Sequence, residues 1–130
     1  MDTHSPAIGA MPMSELPIIQ KTHDLIKWYI PLLNQLPRDH KFALGERMVA
    51  GLYDLLEGLI EARYQREKRT QLQGLNTRLD ILRYQTQLLL DFELISIRRY
   101  EYAGRQLNAI GTELGGWIKR QKPMRHETAR

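Results

Sequence analysis

Between residues 72 and 89, Leu72, Leu75, Leu79, Leu82, Thr86 and Leu89 recur at alternating intervals of three and four. That interval traces one face of an α-helix and does not fit the two-residue alternation of a strand. It constrains the fold more than any other feature, because a leucine stripe of this length must be buried against other helices. The same chain segment, about Thr70 to Asp91, carries a second stripe of Ile81, Tyr84 and Leu88. On a wheel of about 100° per residue the two stripes lie roughly 150° apart, so both sides of this helix call for packing partners.

Three more stretches repeat the spacing. The first runs from about Leu16 to Leu36, with Ile18, Thr22, Leu25, Tyr29, Leu32 and Leu36 in register. Pro17 suits a first helical turn and Pro37 ends the segment, while Pro31 inside it should remove the bond to the Lys27 carbonyl and kink the helix. The second runs from about Asp39 to Lys68 along Gly45, Val49, Leu52, Leu56, Leu59 and Arg63. Met48, Tyr53, Leu55 and Ile60 widen its apolar face to roughly 160°, more than one helix seam needs. The fourth runs from about Ser96 to Lys122 along Ile97, Tyr100, Gly104, Leu107, Gly111, Leu114 and Ile118, with Ser96 as N-cap.

Four amphipathic helices with short connections predict an all-α, up-down-up-down four-helix bundle over residues 16–122. Residues 1–15 and 123–130 lack periodicity and are expected to be a flexible N-terminal tail and a flexible basic C-terminal tail. Tyr53, Ile60, Ile81, Tyr84 and Leu88 are surplus to one bundle core. They are the candidate oligomer interface.

Catalysis finds little support. The chain has no cysteine, which excludes thiol chemistry and a zinc ribbon and fits a cytoplasmic setting. No apolar run is long enough to span a membrane, and the first residues do not read as a secretory signal. Asp54, Glu57 and Glu61 share a helical spacing but fall on the polar side of the second helix. The Glu-x-x-His pair of a di-iron bundle does not occur, and His4, His23, His40 and His126 are scattered. We therefore expect no enzyme activity, no metal and no cofactor.

The cations are more informative. Residues 1–60 hold five Lys and Arg against seven Asp and Glu, whereas residues 61–130 hold fourteen against eight. A basic second half favours an anionic partner. On the fourth helix Arg98, Arg105 and Lys119 fall on one line at multiples of seven, opposite the apolar seam, giving an exposed ridge about 30 Å long. Arg63, Arg66, Lys68 and Arg69 cluster near the end of the second helix, and Lys119, Arg120 and Lys122 near the end of the fourth. Arg78 and Arg83 occupy opposite shoulders of the third helix. From there Arg83 is positioned for a salt bridge to an acid on the second or fourth helix. This pattern fits recognition of a phosphate backbone by shape, without base reading. It also fits a solvated surface with ion pairs along each helix.

Four segments, "LPRDHKFALGERM", "LYDLLEGLIEARY", "LNTRLDILRYQTQLLLDF" and "RRYEYAGRQLNAIGTELGGWIKRQ", resemble the accessory variability determinant proteins of diversity-generating retroelements. They also resemble the wider four-helix-bundle family that includes proteins encoded in 23S rRNA intervening sequences. The likeness covers about residues 16–122. It implies a barrel-shaped homopentamer without a catalytic site. Its implied partners are a reverse transcriptase and a template RNA or RNA/DNA hybrid, together producing adenine-mutagenised cDNA. The family's basic segment on the third helix maps onto Leu82, Arg83 and Tyr84. Its helix junction maps onto Leu36, Pro37 and Arg38, and a packing segment onto Gly115, Gly116, Trp117 and Ile118. The candidate binding residues are therefore Arg63, Arg66, Arg69, Arg78, Arg83, Arg98, Arg105, Lys119, Arg120 and Lys122. The alternative is an oligomeric protein-binding scaffold of the intervening-sequence family with no nucleic-acid role.

Overall fold

The computed structural model describes residues 16–121, and all regular structure within them is helical. Helix α1 spans Leu16–Asn34. A short turn of helix, Arg38–His40, and a π-helical turn, Lys41–Gly45, lead into α2, Glu46–Ala62. Helix α3 spans Arg69–Asp91 and α4 spans Ile97–Lys119. Each helix packs on its neighbours in sequence, and α1 closes the ring against α4. The result is a four-helix bundle.

Helix α3 matches its sequence pattern residue for residue. Leu72, Leu75, Leu79, Leu82, Thr86 and Leu89 are its buried residues. At its end Leu94 N–H bonds the Leu89 carbonyl and Glu93 N–H bonds the Leu90 carbonyl. This is a Schellman closure, and it places Glu93 at φ 59° where glycine is usual. Ser96 then caps α4, its hydroxyl accepting from Arg99 N–H at 3.1 Å.

Elsewhere the buried face is rotated from the expected one. Helix α2 buries Met48, Leu52, Leu55, Leu59 and Ala62, while Val49 and Leu56 are only half-buried. Both stripes have helical spacing and share Leu52 and Leu59. Gly58 decides between them, because α3 comes close there: a Cβ at Gly58 would collide with Leu75 Cδ2. Helix α4 buries Ala103, Leu107, Ile110, Leu114 and Trp117. Ile110 and Trp117 bury far more apolar surface than the Gly104 and Gly111 of the expected seam. On α1 it is Leu33 that is fully buried, with Leu32 half-buried. Helix α1 also runs unbroken through Pro31, whose ring lies on the exposed side.

The largest correction is the end of α2. It was expected to reach Lys68 and stops at Ala62. Continuing the buried stripe by four and seven residues would place Arg66 and Arg69 in the core. Instead Arg63, Tyr64 and Gln65 N–H groups turn back to the Ile60, Glu61 and Ala62 carbonyls. Residues 63–68 thus form a connection, and most of their cations lie on a turn.

Inside the bundle one polar set is fully paired. Thr86 Oγ1 donates to the Leu82 carbonyl at 2.7 Å, so it accepts from Tyr29 Oη at 2.5 Å. Thr22 Oγ1 donates to the Ile18 carbonyl at 2.8 Å. At the surface Lys21 pairs with Glu113, tying α1 to α4.

Candidate nucleic-acid interface

The cations of α4 arise from the heptad register. Because Leu107 and Leu114 point inward, the positions at 98, 105, 112 and 119 point outward. Arg98, Arg105, Thr112 and Lys119 are all exposed. Among the described residues Arg98, Arg105 and Lys119 form no ion pair. Twenty-one residues separate the first from the last, about 30 Å along the helix.

A second group of cations gathers at the end of the bundle formed by residues 63–69 and the close of α4. Two contacts hold these segments together. Arg69 donates from Nη1 to the carbonyls of Ile118 at 3.3 Å and Gln121 at 3.2 Å. Lys68 Nζ lies 5.8 Å from the Trp117 ring centroid. Arg69 thereby adds a second bond to the Ile118 carbonyl, which already accepts from Gln121 N–H at 3.0 Å, and bonds the Gln121 carbonyl. Its charge opposes the negative end of the helix dipole. Arg66, Lys119 and Arg120 are exposed around this junction, and Arg63 is half-buried beside Tyr64. Lys122 and both expected tails lie outside the described residues.

The two shoulder arginines of α3 turn onto neighbouring helices. Arg83 does not reach an acid on α2 or α4, as the sequence suggested. Its Nη1 pairs with Asp80 on its own helix at 2.7 Å. The other nitrogen lies where a Cβ of Gly111 on α4 would be, at 2.5 Å from that position. Absence of a side chain at Gly111 therefore creates the seat for the guanidinium. Arg78 passes over Gly51 of α2 at ordinary van der Waals distance, 3.7 Å from where a Cβ would stand, and lines a surface groove with Asp54, Glu57, Glu61 and Gln71. Those three carboxylates are exposed, as their helical spacing implied, and Gln71 donates to Glu61 at 3.3 Å. Among the described residues no group of three His, Asp or Glu is placed to hold a metal ion.

The candidate set read from the sequence leaves out several surface cations, among them Arg99, Arg38 and Lys41. Arg99 is exposed beside Arg98, and Arg38 and Lys41 flank the exposed Phe42 ring at 5.9 and 5.6 Å. The dipeptide at 98–99 was the only signal for Arg99. The other two depend on the π-helical turn, which spacing does not reveal.

The candidate interface residues are exposed. Tyr53, Ile60, Ile81, Tyr84 and Leu88 are all large apolar side chains open to solvent, Tyr84 at 74 %. No described helix is long and apolar enough to cross a membrane.

Fold and surface together give a small helical bundle with an exposed cationic ridge and exposed apolar side chains. A family model described as bAvd-like matches residues 16–121, and the chain belongs to that family. This is the accessory variability determinant type, an accessory and non-catalytic class of protein. No curated protein matches the chain.

Proposed function

We propose that this protein is a non-enzymatic accessory factor of a diversity-generating retroelement, acting in the cytoplasm. It binds the template RNA, or an RNA/DNA hybrid, through its cationic surface and brings that RNA to the reverse transcriptase for mutagenic cDNA synthesis. The carrying observation is the row of Arg98, Arg105 and Lys119, exposed and without carboxylate partners among the described residues. Arg66 and Arg120 extend it toward the basic end of the bundle. Unpaired surface cations are free to replace the counterions of a phosphate backbone. Arg69 and Arg83 act in the fold, and Arg78 faces acids. Exposed Tyr53, Ile60, Ile81, Tyr84 and Leu88 support assembly into a homo-oligomer, in family terms a homopentamer, which would repeat the basic ridge around the ring.

The test is a titration of purified protein into labelled structured RNA at low and moderate salt, with light scattering on the same sample. Five phosphate contacts predict a slope of log K against log salt of about −3.5 where the contacted RNA is single-stranded and about −4.5 where it is paired. The scattering mass should be five times that of one chain. A multimer that binds no RNA at low salt supports the scaffold alternative, in which the exposed apolar side chains meet a protein partner.

A further inference from the structure

Tyr64 is an exposed tyrosine that stands among cations and clear of other rings, whereas the less exposed Tyr102, also flanked by arginines on α4, packs on Trp28 at 5.1 Å. The Tyr64 side chain is 67 % exposed. The Arg63 guanidinium lies 5.6 Å from the ring centroid. Arg66 and Lys68 follow in the same turn, and Arg69 pins that turn to the end of α4, where Lys119 and Arg120 are exposed. The turn is ordered, with Tyr64 N–H bonded to the Glu61 carbonyl at 3.0 Å and Gln65 N–H to the Ala62 carbonyl at 3.3 Å. The ring is thus held out on a fixed backbone.

Tyr84 supplies the contrast. It is even more exposed, yet its neighbours along α3 are Ile81 and Leu88, and the adjacent Arg83 is paired with Asp80. An aromatic ring among apolar side chains fits a protein contact. An aromatic ring among cations fits a nucleotide, whose base stacks on the ring while its phosphates meet the charges.

We propose that Tyr64 is a stacking platform for an unpaired base of single-stranded RNA, seated at the basic end of the bundle. This rests on the RNA-binding reading above and adds a preference that a purely cationic ridge lacks. Flexible, unpaired segments bind at this end, because a base inside a duplex cannot reach the ring.

The experiment uses the full chain and a single-stranded RNA containing 2-aminopurine, alongside the same RNA backbone made abasic at its central positions. Wild type should quench the 2-aminopurine, and Tyr64→Leu should bind the normal RNA about tenfold more weakly without quenching. Tyr64→Phe should restore both affinity and quenching. Tyr64→Leu and wild type should bind the abasic RNA equally, with unchanged salt slope, since phosphate contacts are untouched. Unaltered melting temperature in Tyr64→Leu shows the variant is folded.

If Tyr64→Leu binds normal RNA like wild type, or loses abasic RNA equally, the stacking platform is overturned while RNA binding stands. Stronger dependence on Tyr64 with a DNA strand of the same sequence overturns the assignment to RNA. Failure of wild type to bind any RNA at low salt removes this proposal together with the reading it rests on.

Discussion

Helices α3 and α4 carry similar numbers of cations and use them in opposite ways. On α3, Arg69 bonds the carbonyls that close α4, Arg78 lies over Gly51, and Arg83 lies over Gly111 while holding Asp80. On α4, Arg98, Arg105 and Lys119 face solvent with no ion partner among the described residues. The difference comes from what stands opposite. Arg83 meets a glycine that leaves room for its guanidinium, Arg78 lies along α2 beside three exposed carboxylates, and Arg69 meets two carbonyls at the close of α4. The α4 row looks outward. Cations used in the fold should matter for stability, and those left over should matter for binding.

The most committed polar pair should show the largest effect on stability. Burial pushes the Tyr29 hydroxyl up to about 12, from an ordinary 10.0, against a smaller opposing effect of its bond to Thr86. The raised value belongs to the folded state, so its stabilisation is whole below pH 10 and is lost as pH climbs toward 12. That loss amounts to about 2–3 kcal/mol. Urea unfolding at pH 8, 10 and 11.5 measures it, and Tyr29→Phe should lack this portion of the alkaline decline. A decline identical in the two proteins would mean that the hydroxyl is not held neutral by the fold.

Arg69 is next. Arg69→Ala removes a charged donor from two carbonyls and should cost about 2 kcal/mol. Arg105→Ala on the outer row should stay within about 0.5 kcal/mol of wild type. Equal costs in thermal unfolding would erase the distinction between the two helices.

Gly111→Ala makes the smallest change and sharpens the comparison most finely. The new Cβ must push aside the flexible end of Arg83 and press Leu79 Cδ2, 3.3 Å away, back by a few tenths of an ångström, while alanine gains about 1 kcal/mol of helix propensity over glycine. The net stability change should be close to zero. A displaced Arg83 becomes available to phosphate, so the salt slope for RNA should steepen by up to about 0.7. An unchanged slope would show that Arg83 does not leave the bundle surface when its seat is filled.

Much of this arrangement was legible in the residue order. On α3 the stripe from Leu72 to Leu89 is uninterrupted and lies well apart from the exposed stripe of Ile81, Tyr84 and Leu88, so spacing identified every buried position of the first. Helices α2 and α4 each offer two overlapping stripes, and spacing cannot choose between them. The choice rests on Gly58 admitting α3, and on the size of Ile110 and Trp117. The end of α2 was missed because residues 63–68 remain compatible with a helix on their own, and only the prospect of burying Arg66 and Arg69 stops it. Outward placement of Arg98, Arg105 and Lys119 followed from the heptad count. Use of Arg69 and Arg83 did not, because their partners are backbone carbonyls and an absent Cβ on another helix.

The most direct test compares wild type with the Arg98→Ala, Arg105→Ala, Lys119→Ala triple variant in RNA titrations across salt. Losing three phosphate contacts should weaken binding at low salt by at least tenfold and make the slope shallower by about 2, with helix content and melting temperature unchanged. Equal affinity and equal slope in the two proteins would contradict the account and move the RNA, if it binds at all, to another face of the bundle.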